Sequence, residues 1–173
     1  DFIEPLNTNK SGEKFRIGKS RHDVGAELLV ANHVEIYKFD TGLSDSNLVG
    51  NIYFGNYSTW LGKARDKFFY SIFPELYKTQ GQRGEIRCID CSINHLQEAM
   101  PFQSIEVELK IGRVFEKGLE ISASFFSNNA KGERYKLAVA NQLAIWRGFG
   151  QVAIVASPFP NEVLSEIYKI VGR

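Results

Sequence analysis

The sequence predicts an α+β domain in which an antiparallel sheet wraps around one long central helix, with a short helix at the C-terminus. Three observations carry this prediction. Between Asn56 and Phe73 the apolar residues Tyr57, Trp60, Leu61, Ala64, Phe68 and Ile72 recur at helical spacing, Lys63, Asp66 and Lys67 lie on the other side, and Pro74 closes the run. Three or four long segments with alternating apolar residues follow, and a striped helix beside such a meander must bury its stripe against the sheet. The chain is also rich in aromatics, with 13 Phe and 7 Tyr, which suit pleated, half-buried surfaces.

Taken in order, residues 1–20 are polar and rich in Gly, Ser, Asn and Lys, and read as a linker or an edge-wrapping arm. Residues 21–31 hold a short apolar segment of open form, so residues 1–32 are set apart from a domain at 33–173. His33 to Phe39 alternates as a strand, and Asp40 to Gly50 is a loop of Gly, Ser, Asp and Asn. After the helix, strands are expected at 85–94, 104–115, 119–126 and 134–146, the last two joined by the hairpin loop Ser127-Asn128-Asn129-Ala130-Lys131-Gly132. Asn161 to Val171 places Val163, Leu164, Ile167, Ile170 and Val171 at helical spacing.

Composition narrows the function. A chain of 173 residues fits one domain. Net charge is +1 with the signs interspersed, which speaks against nucleic acid. A small acidic carrier protein stays open as a partner, because it needs only a local basic patch. No run of about 18 apolar residues is present, so no membrane span is expected, and a reducing cytoplasm is the expected compartment. The chain opens on Asp1 rather than Met, and reads as a piece of a longer polypeptide or as numbered without its first residues. Cys88 and Cys91 form a CxxC inside a strand-like segment, where the two positions point to opposite faces. They read as buried or half-buried free thiols, with redox or metal roles as the lesser alternative. No phosphate-binding loop motif is present.

The segment Asp45-Ser46-Asn47-Leu48-Val49-Gly50-Asn51-Ile52-Tyr53-Phe54-Gly55-Asn56-Tyr57-Ser58-Thr59-Trp60 resembles the first-helix signature of hotdog-fold acyl-CoA thioesterases, the 4-hydroxybenzoyl-CoA thioesterase-like superfamily. In that signature an Asp, a Gly, an aromatic pair, Asn-Tyr and Trp run in this order. The closer resemblance is to the branch that serves enediyne polyketide synthases. It rests on Asn47 to Asn51, Asn56-Tyr57, Trp60, Gly62 and Arg65, and on Asp90-Cys91, Glu98 and Phe102 further on. The likeness spans roughly residues 33–170 and implies the hotdog fold. It also implies a thioesterase that releases a polyketide or β-ketoacyl chain from an acyl carrier protein or coenzyme A, without metal or other cofactor, as a homodimer or homotetramer.

One departure from the wider superfamily matters. The 4-hydroxybenzoyl-CoA type has an acidic residue where this chain has Asn47, and an amide can act neither as proton acceptor nor as acyl-forming nucleophile at neutral pH. The resemblance therefore implies catalysis by positioning, through Asn47, Tyr57 and Arg65. Gly50 suits a tight turn, and backbone N–H groups near Asn56 suit an oxyanion. Gly50, Asn51, Tyr53, Asn56, His95, Glu98 and Phe68 are the expected substrate-binding residues, and Phe68, Phe69, Phe125 and Phe126 the expected apolar tunnel. Tyr57 and Arg65 are eight residues apart, about 12 Å along a helix and about 80° around it. They cannot grip one atom together, which assigns Arg65 to a neighbouring subunit's site or to holding Asn47 and the carrier arm.

Each residue also has a structural reading. Asn47 can stabilise a turn, Asn56 can cap the helix, Tyr57 and Trp60 can belong to the core stripe, and Arg65 can pair with a carboxylate. Rival functions are an acyltransferase-decarboxylase or dehydratase of a polyketide assembly line, and a non-catalytic acyl-binding module.

Overall fold

The computed structural model describes residues 23–78, 84–150, 153 and 155–171. The arm expected at residues 1–20 lies outside them. Among the described residues six strands form one antiparallel sheet: β1 (Glu27–Val30), β2 (Val34–Asp40), β3 (Glu85–His95), β4 (Ser104–Phe115), β5 (Gly118–Asn128) and β6 (Arg134–Arg147). Their order is β1-β4-β5-β6-β3, with β2 pairing β4 beside β1. β1 and β2 thus share one edge of β4, at residues 113–115 and 104–110. The apolar segment of open form before residue 32 is therefore partly a strand. Three helices accompany the sheet: α1 (Asn56–Ile72), the one-turn α2 (Glu75–Lys78) and α3 (Asn161–Val171). A 3-10 turn at Leu43–Asp45 precedes α1.

The helical stripe read from the sequence is the buried face of α1. Tyr57, Trp60, Leu61, Ala64, Phe68, Phe69 and Ile72 are all buried. They meet Ile105, Val107, Leu109 and Ile111 of β4, Ile121, Ala123 and Phe125 of β5, and the small residues Ala138, Ala140 and Ala144 of β6. Small residues on β6 leave room for the aromatic rings on the helix. Burying a large apolar side chain contributes about 1.5–3 kcal/mol, so this one stripe is the main attachment of the helix to the sheet. α3 adds Val163 and Ile167 to the same cluster.

Among the described residues β3 ends the sheet and has no strand on its outer edge. Cys88, Asp90, Cys91, Ser92, Asn94 and His95 are exposed along it. The strand carries a bulge between Cys88 and Asp90, so that Ile89 has no partner on β6.

Candidate active site

The loop before α1 is closed by local hydrogen bonds. Ser46 and Ile52 form a bridge, the Asn47 N–H donates to the Asn51 carbonyl at 2.9 Å, and the Gly50 N–H donates to the Asn47 carbonyl at 3.1 Å. Gly50 has φ +89, with open space where a side chain would stand. The need for glycine here is thus conformational and not steric. Gly50→Ala is expected to lower stability by about 1–2 kcal/mol, read by chemical denaturation; an unchanged midpoint would show that the loop relaxes freely.

The Asn47 amide has a fixed orientation. Its Oδ1 accepts the Val49 N–H at 3.0 Å, an arrangement only the oxygen can satisfy. The turn role is therefore real, and it leaves Nδ2, a donor, without a partner among the described residues. Two further anchors bring the loop to the segment after β3. The Ile52 N–H donates to the Ala99 carbonyl at 2.8 Å, and buried Thr41 donates through Oγ1 to the Gln103 carbonyl at 2.8 Å. Leu96 and Gln97 are tied by their N–H groups to the Leu137 carbonyl on β6.

The result is a cleft of about 160 Å³ lined by Asn47, Asn51, Ile52, Phe54, Tyr57, His95, Gln97, Glu98 and Ala99. Five of the expected residues meet there: Asn47, Asn51, Tyr57, His95 and Glu98. Asn51 Oδ1 is buried with no hydrogen-bond partner, an arrangement that costs about 1–3 kcal/mol unless something supplies a donor. Tyr57 packs edge-on to His95 at 4.8 Å and to Phe125 at 5.1 Å. Burial, and then the nearby Tyr135, push the Tyr57 hydroxyl up to about 12, so it remains a proton donor at neutral pH.

The helix start differs from the expectation. Gly55, not Asn56, is the cap residue, and it makes no side-chain cap bond. Asn56 instead donates through Nδ2 to the Asp45 carbonyl at 2.8 Å, tying the helix to the 3-10 turn. The Asn56 and Tyr57 N–H groups are occupied by the carbonyls of Tyr53 and Phe54, at 3.0 and 3.3 Å. At the helix start the N–H groups of Phe54 and Gly55 have no partner among the described residues, and Phe54 lines the cleft. The free backbone donors therefore sit one to two residues earlier than the sequence suggests. Gly55 also makes room for Tyr53, since an added Cβ would lie 2.5 Å from its ring.

Several expected residues lie elsewhere. Tyr53 is half exposed and stacks on Phe54 outside the cleft lining. Phe68 is fully buried in the core, between Phe69 and His33, and lines no part of the cleft. Phe69 and Phe125 are core as well, while Phe126 carries the Arg134 guanidinium over its ring at 3.4 Å. None of these four rings lines the cleft, and Phe126 lines a separate pocket with Lys38, Glu106 and Arg134. Arg65 donates from Nε and Nη2 to Asp66 and from Nη1 to Gln142 on β6 at 3.3 Å, away from the cleft of its own chain.

Phe54, Ile52, Gln97 and Ala99 were not singled out from the sequence. Phe54 belongs to the aromatic pair of the motif, and its value lies in its backbone. The other three come into place through long-range hydrogen bonds. Phe102 beside them has φ +66, rare for a bulky residue.

Comparison with known proteins places this cleft in context. The search of curated proteins gave no match. Among solved structures, the dynemicin thioesterase is 21% identical with a TM-score of 0.68, covering 79% of this chain and 96% of that one. The 4-hydroxybenzoyl CoA thioesterase from Pseudomonas sp. strain CBS-3 is 13% identical with a TM-score of 0.68, covering 78% and 99%. A gentisyl-coenzyme A thioesterase is 16% identical with a TM-score of 0.64, covering 76% and 98%. These likenesses establish the hotdog fold. The profile of the thioesterase-like superfamily matches residues 41–167, a span that holds the cleft, α1 and the four long strands, and the chain belongs to that superfamily.

Proposed function

We propose that the chain hydrolyses an acyl thioester at this cleft, and that the acyl group is a polyketide or β-ketoacyl chain carried by an acyl carrier protein. The observation that carries the reading is a cleft lined by two residues with unspent donors, Asn47 through its amide nitrogen and Phe54 through its backbone N–H. Such donors suit a thioester carbonyl whose oxygen becomes negative as water attacks. Water adds to the carbonyl carbon, the carbon–sulfur bond breaks, and the thiol leaves. His95 and Glu98 are the cleft groups that can take the proton of the water, which then passes to the departing sulfur. Asn51, with its unpaired oxygen, suits a donor on the substrate, such as an amide N–H of the phosphopantetheine arm.

The polyketide reading is supported by Asn47 standing in place of an acid. Support also comes from the likeness to the dynemicin thioesterase, whose structures concern polyene binding. Exposed Leu48, Val49 and Phe54 give an apolar rim at the loop. A homodimer is part of the proposal. The open edge of β3 is 11 residues long, and a second copy pairing there would continue the sheet.

The dimer gives Arg65 a role in the partner's site, with a sharp test. Asn47→Ala and Arg65→Ala are each expected to lose about 10²-fold or more of the activity. When the two are mixed and allowed to exchange subunits, about a quarter of wild-type activity should return, because random pairing gives half heterodimers with one intact site each. No recovery, with exchange shown by mass spectrometry, would place Arg65 in its own chain's site or in the framework.

His95 and Glu98 on one cleft also favour a second reading, a dehydratase on the same fold, although no hydrogen bond joins the two. Product analysis separates it, since a dehydratase leaves the thioester intact.

A further inference from the structure

Cys88 and Cys91 are three apart, which in a regular strand would put them on opposite faces. The bulge at Ile89 changes this. Cys88 stands opposite Ala144 and Cys91 opposite Gln142, two residues that share a face of the uninterrupted β6. Both cysteines therefore lie on one face, spaced as neighbouring same-side residues of a strand, about 6.6 Å apart or less where the bulge bends the chain. That spacing is within the range a disulfide spans. Both residues are exposed, and both thiols are free. The thiols are free as expected, but they share a face instead of pointing to opposite ones, and the residues are exposed.

The surroundings are polar. Asp66 holds Arg65, and Arg65 donates to Gln142, which stands opposite Cys91 on β6. The Cys88 thiol also lies 3.3 Å from the Asp90 carbonyl. No group of three His, Cys, Asp or Glu residues suited to a metal is found among the described residues, so the pair stands as a dithiol.

We propose that Cys88 and Cys91 form a vicinal dithiol that exchanges with small disulfides and closes into an intramolecular disulfide. Cys88 is the attacking sulfur. The adjacent Cys91 thiol, and then Arg65, bring its thiol down to about 7, while Cys88, burial and the neighbouring Asp90 push Cys91 up. In the first step the Cys88 thiolate attacks one sulfur of the small disulfide, a protein–small-molecule disulfide forms, and one thiolate leaves. In the second, Cys91 gives up its proton and attacks the Cys88 sulfur, expelling the second small thiol. Two protein thiols are oxidised and one small disulfide is reduced to two thiols. The pair lies outside the cleft lining, on the β3 edge proposed above for the homodimer, and the inference rests on its thiols staying open to solvent in that assembly.

The test is intact-mass analysis of the full chain equilibrated at neutral pH with oxidised glutathione. The expected product has lost two hydrogens, carries no glutathione, and returns to the starting mass with dithiothreitol. Cys91→Ser should stop at one glutathione on Cys88. Cys88→Ser should react about tenfold more slowly. Phenylarsine oxide, which bridges neighbouring thiols, should bind the wild type once and neither variant. A chain that accumulates two glutathiones, or variants that react at equal rates, would overturn the proposal.

Discussion

Asn47→Ala is expected to lower kcat for thioester hydrolysis by about 10²–10³, the effect of removing one oxyanion donor worth about 2.7–4 kcal/mol. The variant also loses the turn bond to Val49, so Asn47→Asp is the sharper probe. A carboxylate oxygen still accepts the Val49 N–H and keeps the loop, but the donor into the cleft is gone. A comparable loss in Asn47→Asp, with an unchanged denaturation midpoint, is the expected outcome of steady-state kinetics. A gain in kcat would show that the reaction wants a base or nucleophile at this position, and would refute the donor role.

Phe68→Ala is expected to lower stability by about 3–5 kcal/mol. The ring is fully buried on α1, against Phe69 and His33, and nothing in the close-packed surroundings can collapse into its space. This is a large part of the 5–15 kcal/mol that a domain of this kind has in total. Urea denaturation checks it. At a temperature where the variant stays folded, KM should match that of the wild type, because the ring does not line the cleft. A raised KM with intact stability would return Phe68 to the substrate-binding residues.

Much of the fold can be read from periodicity because each long element buries one face. The stripe on α1 and the alternation of β4 are both core patterns, and a residue displaced by one position would leave the core. β1 is harder to read. It is four residues long, and its pairing with β4 is long-range, so nothing local announces it. The bulge in β3 is invisible for a related reason. Alternation predicts opposite faces for Cys88 and Cys91, and one unpaired residue puts them on the same face.

The cleft was partly legible. Asn47, Asn51 and Tyr57 lie in one continuous motif, and His95 and Glu98 flank the end of the next strand. What escaped is the backbone. Which N–H groups are free follows from the turn Tyr53-Phe54-Gly55-Asn56, where the Tyr53 and Phe54 carbonyls take the donors of Asn56 and Tyr57. A side-chain motif carries no record of that. Phe68 was misplaced because one helical stripe serves both core and cleft, and the sequence does not show where along the helix the cleft ends.

The most direct test is product analysis with an acyl chain loaded on a carrier protein through phosphopantetheine. The purified chain is incubated with it, and released thiol and acyl product are followed together by thiol titration and mass spectrometry. Hydrolysis should give free acid and carrier thiol in equal amounts, with incorporation of solvent oxygen into the acid and loss of both products in Asn47→Asp. Transferred or dehydrated acyl chains with no free acid, or equal turnover in the variant, would contradict a thioesterase built on the Asn47 cleft.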